Sequence, residues 1–200
     1  TLNSSIVYNN LELARSHWER VRDEVSPELA AIAKTLDDEQ VVTLFAALEK
    51  DNKEEEEERQ EALEKSEAQR LKDRIERIQE TIRERIGDLS KEQKQIVSTY
   101  AQQFISTGDA WITYRRNIQN AARKLFVSRK QNERFEQELV VLMQNPDNYK
   151  SDVYKQSSAH NMTVTATLLA EIFSTLSEKQ RQTLIENVDE LIETVDNFMD

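Results

Sequence analysis

The chain has 200 residues, a formal net charge of −11 and no cysteine, with 38% hydrophobic and 32% charged residues. That charge argues against nucleic acid or anionic lipid as a general partner, and the missing thiols exclude disulfides, thiolate metal sites and cysteine nucleophiles. Two Gly and two Pro are too few for many hairpins. The expected fold is therefore all-α: a single extended helical domain over 1–200, an elongated bundle of about five helices in long antiparallel helical hairpins, without strands.

The first helix is expected over 5–35. Val7, Leu11, Ala14, Trp18, Val21 and Val25 alternate spacings of three and four, which is the seam of an amphipathic helix. Ser26-Pro27-Glu28 reads as an N-cap followed by Pro at the first helical position, restarting or kinking that helix, and Leu29, Ile32, Ala33 and Leu36 continue the apolar face. The second helix is expected over 38–86, on the order of 70 Å long. It is apolar at both ends (Val41, Leu44, Phe45 and Leu48, then Leu71, Ile75, Ile78, Ile82 and Ile86), whereas "DNKEEEEERQE" from Asp51 has no apolar residue. That middle reads as a solvated stretch or a frayed bend; Glu54–Glu58 without a Gly turn is no calcium loop.

A third helix is expected over 91–144, with Ile96, Tyr100 and Phe104 on its first face and Gly108-Asp109 as a place to bend. Trp111, Tyr114, Ile118, Ala121 and Leu125 resume the pattern, followed by Phe135, Leu139 and Leu142. Pro146 marks a loop. Two further helices follow, 152–175 on Leu168, Leu169, Ile172 and Phe173, and 178–198 on Leu184, Val188, Leu191, Val195 and Phe198. Charge is uneven: 111–134 is strongly basic and 160–200 strongly acidic, so these two segments are expected to pair.

Three of the helix starts share one spelling: Leu36-Asp37 with Gln40, Leu89-Ser90 with Gln93, and Leu176-Ser177 with Gln180. Each fits a capping box, in which the cap side chain accepts from the backbone N–H three residues on and the Gln side chain reaches back to the cap's own N–H. Capping alone stabilises by about 0.5–2 kcal/mol. It does not explain why Gln stands where Glu would serve as well.

Leu, a cap and Gln at helix starts resembles the Leu-Thr-x-x-Gln signature of the Spy/CpxP-type periplasmic proteins of Gram-negative bacteria, with Asp37, Ser90 and Ser177 in place of Thr. Over some 190 residues the chain also resembles an uncharacterised family of Gram-negative bacterial lipoproteins, a domain of unknown function. The likeness rests on "YNNLEL" from Tyr8, "LDDEQ" from Leu36, "RIGDLSKEQ" from Arg85, Trp111 with Arg115, "FEQELVVLMQNPD" from Phe135, Tyr154 with Asn161, and "LSEKQRQTL" from Leu176. The resemblance implies a mature domain on the periplasmic side of the envelope, tethered to the outer membrane by a lipidated cysteine upstream of Thr1. It implies no activity.

His17 and His160 are the only histidines, no Glu-x-x-His or Gly-rich phosphate loop is present, and no Ser sits on a nucleophile elbow. No catalytic residue, metal ligand or cofactor is therefore assigned. The candidate partner-binding residues are Trp111, Tyr114, Arg115, Arg116 and Arg123, with Tyr154 and Asn161 two turns apart on a later helix. Arg115 and Arg116 are expected either to pair with the acidic last helix or to line a surface for protein partners or unfolded clients. The function expected from this is a non-enzymatic envelope lipoprotein that binds proteins, as an ATP-independent holdase-like chaperone. The alternative is an assembly subunit that docks one envelope partner, or a second copy of itself, through its helical seams. A metal-responsive sensor using His17 or His160 comes third.

Overall fold

The computed structural model describes residues 3–199, except for the side chains of 191 and 194–199. The described chain is all-helical, with eight α-helices and no strand: α1 (Ser4–Thr35), α2 (Asp38–Glu64), α3 (Glu67–Ile86), α4 (Lys91–Ala101), α5 (Gly108–Ser128), α6 (Phe135–Gln144), α7 (Asp152–Ser174) and α8 (Glu178–Met199). A short 3-10 turn, Pro146–Tyr149, occupies the loop before α7. Eight helices replace the expected five because two long ones are interrupted. The 38–86 helix breaks at Lys65-Ser66, where Ser66 Oγ accepts from the Gln69 backbone N–H at 3.2 Å and starts α3. The 91–144 helix breaks twice. Arg74 reaches across to cap the end of α4, donating to the carbonyls of Ala101 and Phe104 at 3.0 and 2.9 Å. Between α5 and α6, Asn132 Oδ1 accepts from the Arg134 N–H at 2.9 Å, a turn made by its own side chain.

The helices group into two compact units. The first comprises the residues up to Asn9, Lys65–Phe104 and those from His160 on. Its core is Ile82, Ile86, Val97, Leu168 and Ile172, brought together by α3, α4 and α7, with Leu184 of α8 packed against it. The second comprises Asn10–Glu64 and Ile105–Ala159. There Phe126 stands edge-on to both Phe45 and Phe135, with ring centroids 5.4 and 5.2 Å apart, and Ala30 and Leu139 complete the cluster. The expected hairpins survive in part: α3 lies against α4 and α8, and α5 against α2 and α6.

The first helix corrects two expectations. It does not restart at Pro27, which lies inside a continuous α1. An interior Pro removes the bond to the carbonyl four residues back, at a cost of about 3 kcal/mol. That carbonyl, Asp23, instead accepts from Gln144 Nε2 of α6 at 3.1 Å. Ser26 is no N-cap: it is buried, and its hydroxyl donates to the Arg22 carbonyl at 2.6 Å. The second correction concerns which face is inward. In the second unit α1 buries Ala30 in the phenylalanine cluster and buries Ser26 as well, and the expected seam from Trp18 to Ile32 lies outside. Where α1 meets the three rings, close packing suits a methyl-sized side chain, that of Ala30. In the last helix Leu184 packs on the core and Val188 is exposed, while Leu191, Val195 and Phe198 fall outside the described side chains.

Candidate functional site

Each of the three repeats forms a reciprocal pair of bonds at its helix start. Gln40, Gln93 and Gln180 donate their backbone N–H groups to Asp37 Oδ1, Ser90 Oγ and Ser177 Oγ at 2.8, 3.1 and 3.2 Å. Their side-chain carbonyls accept from the N–H groups of Asp37, Ser90 and Ser177 at 2.9, 2.9 and 3.0 Å. In the first unit two of these boxes then join. Gln93 Nε2 donates to Gln180 Oε1 and Gln180 Nε2 to Gln93 Oε1, both at 3.0 Å. The second amide hydrogens go to the main chain, from Gln93 to Thr175 O at 3.4 Å and from Gln180 to Asp88 O at 2.8 Å. Gln93 is 0% exposed, so the choice of Gln has a physical cause. A Glu would cap equally well but would set a buried carboxylate against acceptors, with no donor to return. Gly87, one residue before the second repeat's Asp88-Leu89, has φ +82°, a left-handed backbone that favours Gly.

The aromatic and basic candidates come together only in part, all within the second unit. Trp111 and Tyr114 have ring centroids 5.6 Å apart, and Tyr114 and Tyr154 5.9 Å apart. The Lys150 ammonium lies 5.5 Å from the Tyr114 ring and 5.8 Å from the Tyr154 ring. Burial pushes both phenols up from their ordinary range. Arg123 lies 4.6 Å over the Phe45 ring, a cation–π contact that covers the core. Asn161 falls in the first unit.

Arg115 and Arg116 take partners other than the acidic last helix expected for them. They bind the acidic run of α2, which is neither frayed nor merely solvated. Arg115 lies 3.5 Å from both Asp51 and Glu55, and Arg116 bridges Glu49, at 3.1 Å, and Glu56. Hydrogen bonds from Arg116 hold both of those carboxyls below their ordinary range. Farther along, Arg59 clasps Asp109 through two bonds of 2.7 and 2.8 Å. A Cβ at Gly108 would stand 3.1 Å from Arg59 Nε, so glycine leaves that arginine its path. Buried Asn52 donates to Gln119, and its own Oδ1 has no partner among the described residues. Sequence reasoning missed this seam. The signal was the acidic run itself, which provides the carboxylates that the basic α5 pairs with.

The outer face of α1 is the surface that sequence reasoning took for core. Trp18 is 74% exposed and Val25 42%, and Val21, Leu29 and Ile32 are exposed with them, at spacings of three, four, four and three. His17, beside this stripe, is exposed and accepts from Arg20 at Nδ1; His160 donates from Nε2 to the Gln103 carbonyl at 2.8 Å. Among the described residues no group of three or more His, Cys, Asp or Glu side chains is placed to hold a metal ion, and no helix is long and apolar enough to cross a membrane.

A family model described as a family of unknown function (DUF6279) matches residues 8–155. No curated protein and no solved structure matches the chain.

Proposed function

The chain belongs to the family of unknown function DUF6279, a membership that carries no activity, and we propose that it is a non-enzymatic envelope lipoprotein that docks one protein partner through the outer face of α1. The observation that carries this reading is the exposed stripe Trp18, Val21, Val25, Leu29 and Ile32. Five large apolar side chains on one side of a single helix form a contiguous patch, and such patches on soluble proteins mark interaction sites. Their alternating spacing suits knobs-into-holes packing by a partner helix. The envelope location and the lipid anchor rest on the resemblance to Gram-negative lipoproteins and to the Spy/CpxP type, through the Leu-cap-Gln starts. Incorporation of labelled palmitate into the full-length protein tests the anchor.

A holdase acting on many unfolded clients is the second reading, favoured by the same exposed stripe. The patch first suggested for it is largely committed internally, with Arg115 and Arg116 held by α2 and Tyr114 covered by Tyr154 and Lys150. A photo-crosslinking residue at position 18, in cells, separates the two. Dedicated docking gives one discrete adduct that Val25→Asp removes. A smear of adducts, with suppression of aggregation of a denatured model protein in vitro, moves the assignment to the holdase. Neither adduct nor suppression contradicts both.

A further inference from the structure

A second surface, in the second unit, is built for an occupant of definite charge. Between α5 and α6 runs a groove of about 470 Å³ whose apolar part is formed by Ala121, Leu125, Val141 and Leu142. Lys124 and Arg134 line it as well, both exposed, and neither side chain has a hydrogen bond or ion pair among the described residues. The one acidic side chain there, Glu138, already accepts from Asn132 Nδ2 at 2.9 Å. The groove thus presents apolar surface beside two unpaired cations. Its complement is an apolar helix face with acidic margins.

This chain carries such a face. On α8, Ile185, Val188 and Ile192 are exposed, at the i, i+3 and i+7 positions by which an amphipathic helix anchors in a groove. The exposed Glu186, Asp189 and Glu193 lie among them. The stripe on α1 lacks this selectivity, since charges of both signs (Arg20, Arg22, Glu24 and Glu28) stand along it. We propose that the α5–α6 groove receives α8 of a second copy of this chain. Two reciprocal contacts of this kind close a dimer; where the exchange does not close, copies run on head to tail. The contact is small and its charges are exposed, so it is transient and salt-sensitive. It uses neither α1 nor its partner.

These 200 residues contain no cysteine, which makes the test direct in this chain. Val141→Cys and Val188→Cys are prepared separately, checked for helicity by circular dichroism, then mixed and oxidised under mild conditions. The expected result is a disulfide-linked heterodimer in the mixture, absent when either variant is oxidised alone. Its yield falls about tenfold between 0.05 and 0.5 M salt, as the screening length shortens. Reversing Lys124 and Arg134 to Glu in the first copy abolishes the crosslink, and reversing Glu186, Asp189 and Glu193 to Lys in the second restores it. No heterodimer overturns the proposal, as does a crosslink indifferent to charge reversal. An intrachain disulfide in the double variant, without a crosslink in the mixture, overturns it too.

Discussion

The first unit closes its helix starts on a pair of amides, Gln93 and Gln180, whereas the second meets its own with a buried guanidinium. At the repeat beginning with Leu36, Arg129 donates from Nε to the Leu36 carbonyl at 3.3 Å, from Nη1 to the Phe126 carbonyl at 3.0 Å, and from Nη2 to Asp38. The contrast extends through both units. In the first, Asn187 caps the end of α3 through the Arg85 carbonyl at 2.8 Å, and Tyr100 donates to Glu171 at 2.5 Å. In the second, ion pairs tie α2 to α5, Lys34 to Glu136, and Arg15 to Asp147. One capping motif is therefore compatible with two kinds of closure. Neutral amides suit a start that is fully buried; charges suit starts that keep an exposed partner, as Asp38 does.

The largest effect should come from breaking the neutral side. Gln93→Glu places a carboxylate at a site without exposure, facing Gln180 and the Thr175 carbonyl. We expect a loss of about 3 kcal/mol at pH 7 in urea unfolding. Burial raises the introduced group's folded pKa, so stability returns as the pH is lowered, the opposite of the native carboxylates discussed next. Second comes Arg129→Met, which takes the guanidinium from the Leu36 and Phe126 carbonyls and leaves Asp38 to Lys130; we expect a loss of about 2 kcal/mol, confined to the second unit and measured by tryptophan emission. Both tryptophans, Trp18 and Trp111, lie in that unit.

Acid sharpens the comparison further. In the second unit Asp38 is held down by Lys130 and Arg129, Glu49 and Glu56 by Arg116, Asp109 by Arg59 and Asp147 by Lys150. In the first, Asp73 is held down, chiefly by Lys65. A depressed folded pKa adds stability above the ordinary carboxyl value of about 4 and loses it as the pH falls through the folded value. Between pH 4 and 2 tryptophan emission should therefore change before the amides of α3 and α4 lose exchange protection; the reverse order contradicts the comparison. Fourth, Arg116→Gln should lower stability by only about 0.5 kcal/mol, because its carboxylates are half-exposed, and 0.5 M salt should erase most of that difference.

How far the sequence carried depends on whether a feature is local. The caps at Asp37, Ser90 and Ser177 are spelled within four residues, so their starts were legible. The start at Ser66 was equally legible in principle, since Ser66 and Gln69 have the same spacing, but Lys65 stands where the other copies have Leu. The break after Ser128 has neither Gly nor Pro, and its turn depends on Asn132 bonding its own main chain. Nonlocal facts were hidden. The basic α5 segment has two acidic complements in the chain, and composition alone does not choose α2 over α8. The face of α1 was misread for a related reason: periodicity identifies an apolar stripe, whereas the side of α1 that packs on Phe45, Phe126 and Phe135 is set by their bulk and carries the small Ala30.

The central claim, that the α1 stripe is a docking face and not core, is tested most directly by the thermal midpoint of Val25→Asp in the isolated protein. A charge placed on an exposed face changes stability by no more than about 0.5 kcal/mol, so the variant should keep its helicity and melt within roughly 2 °C of the parent. A fall of roughly 10 °C or more, the scale of a charge buried in a core, would show that the fold itself covers this stripe, and would contradict the account.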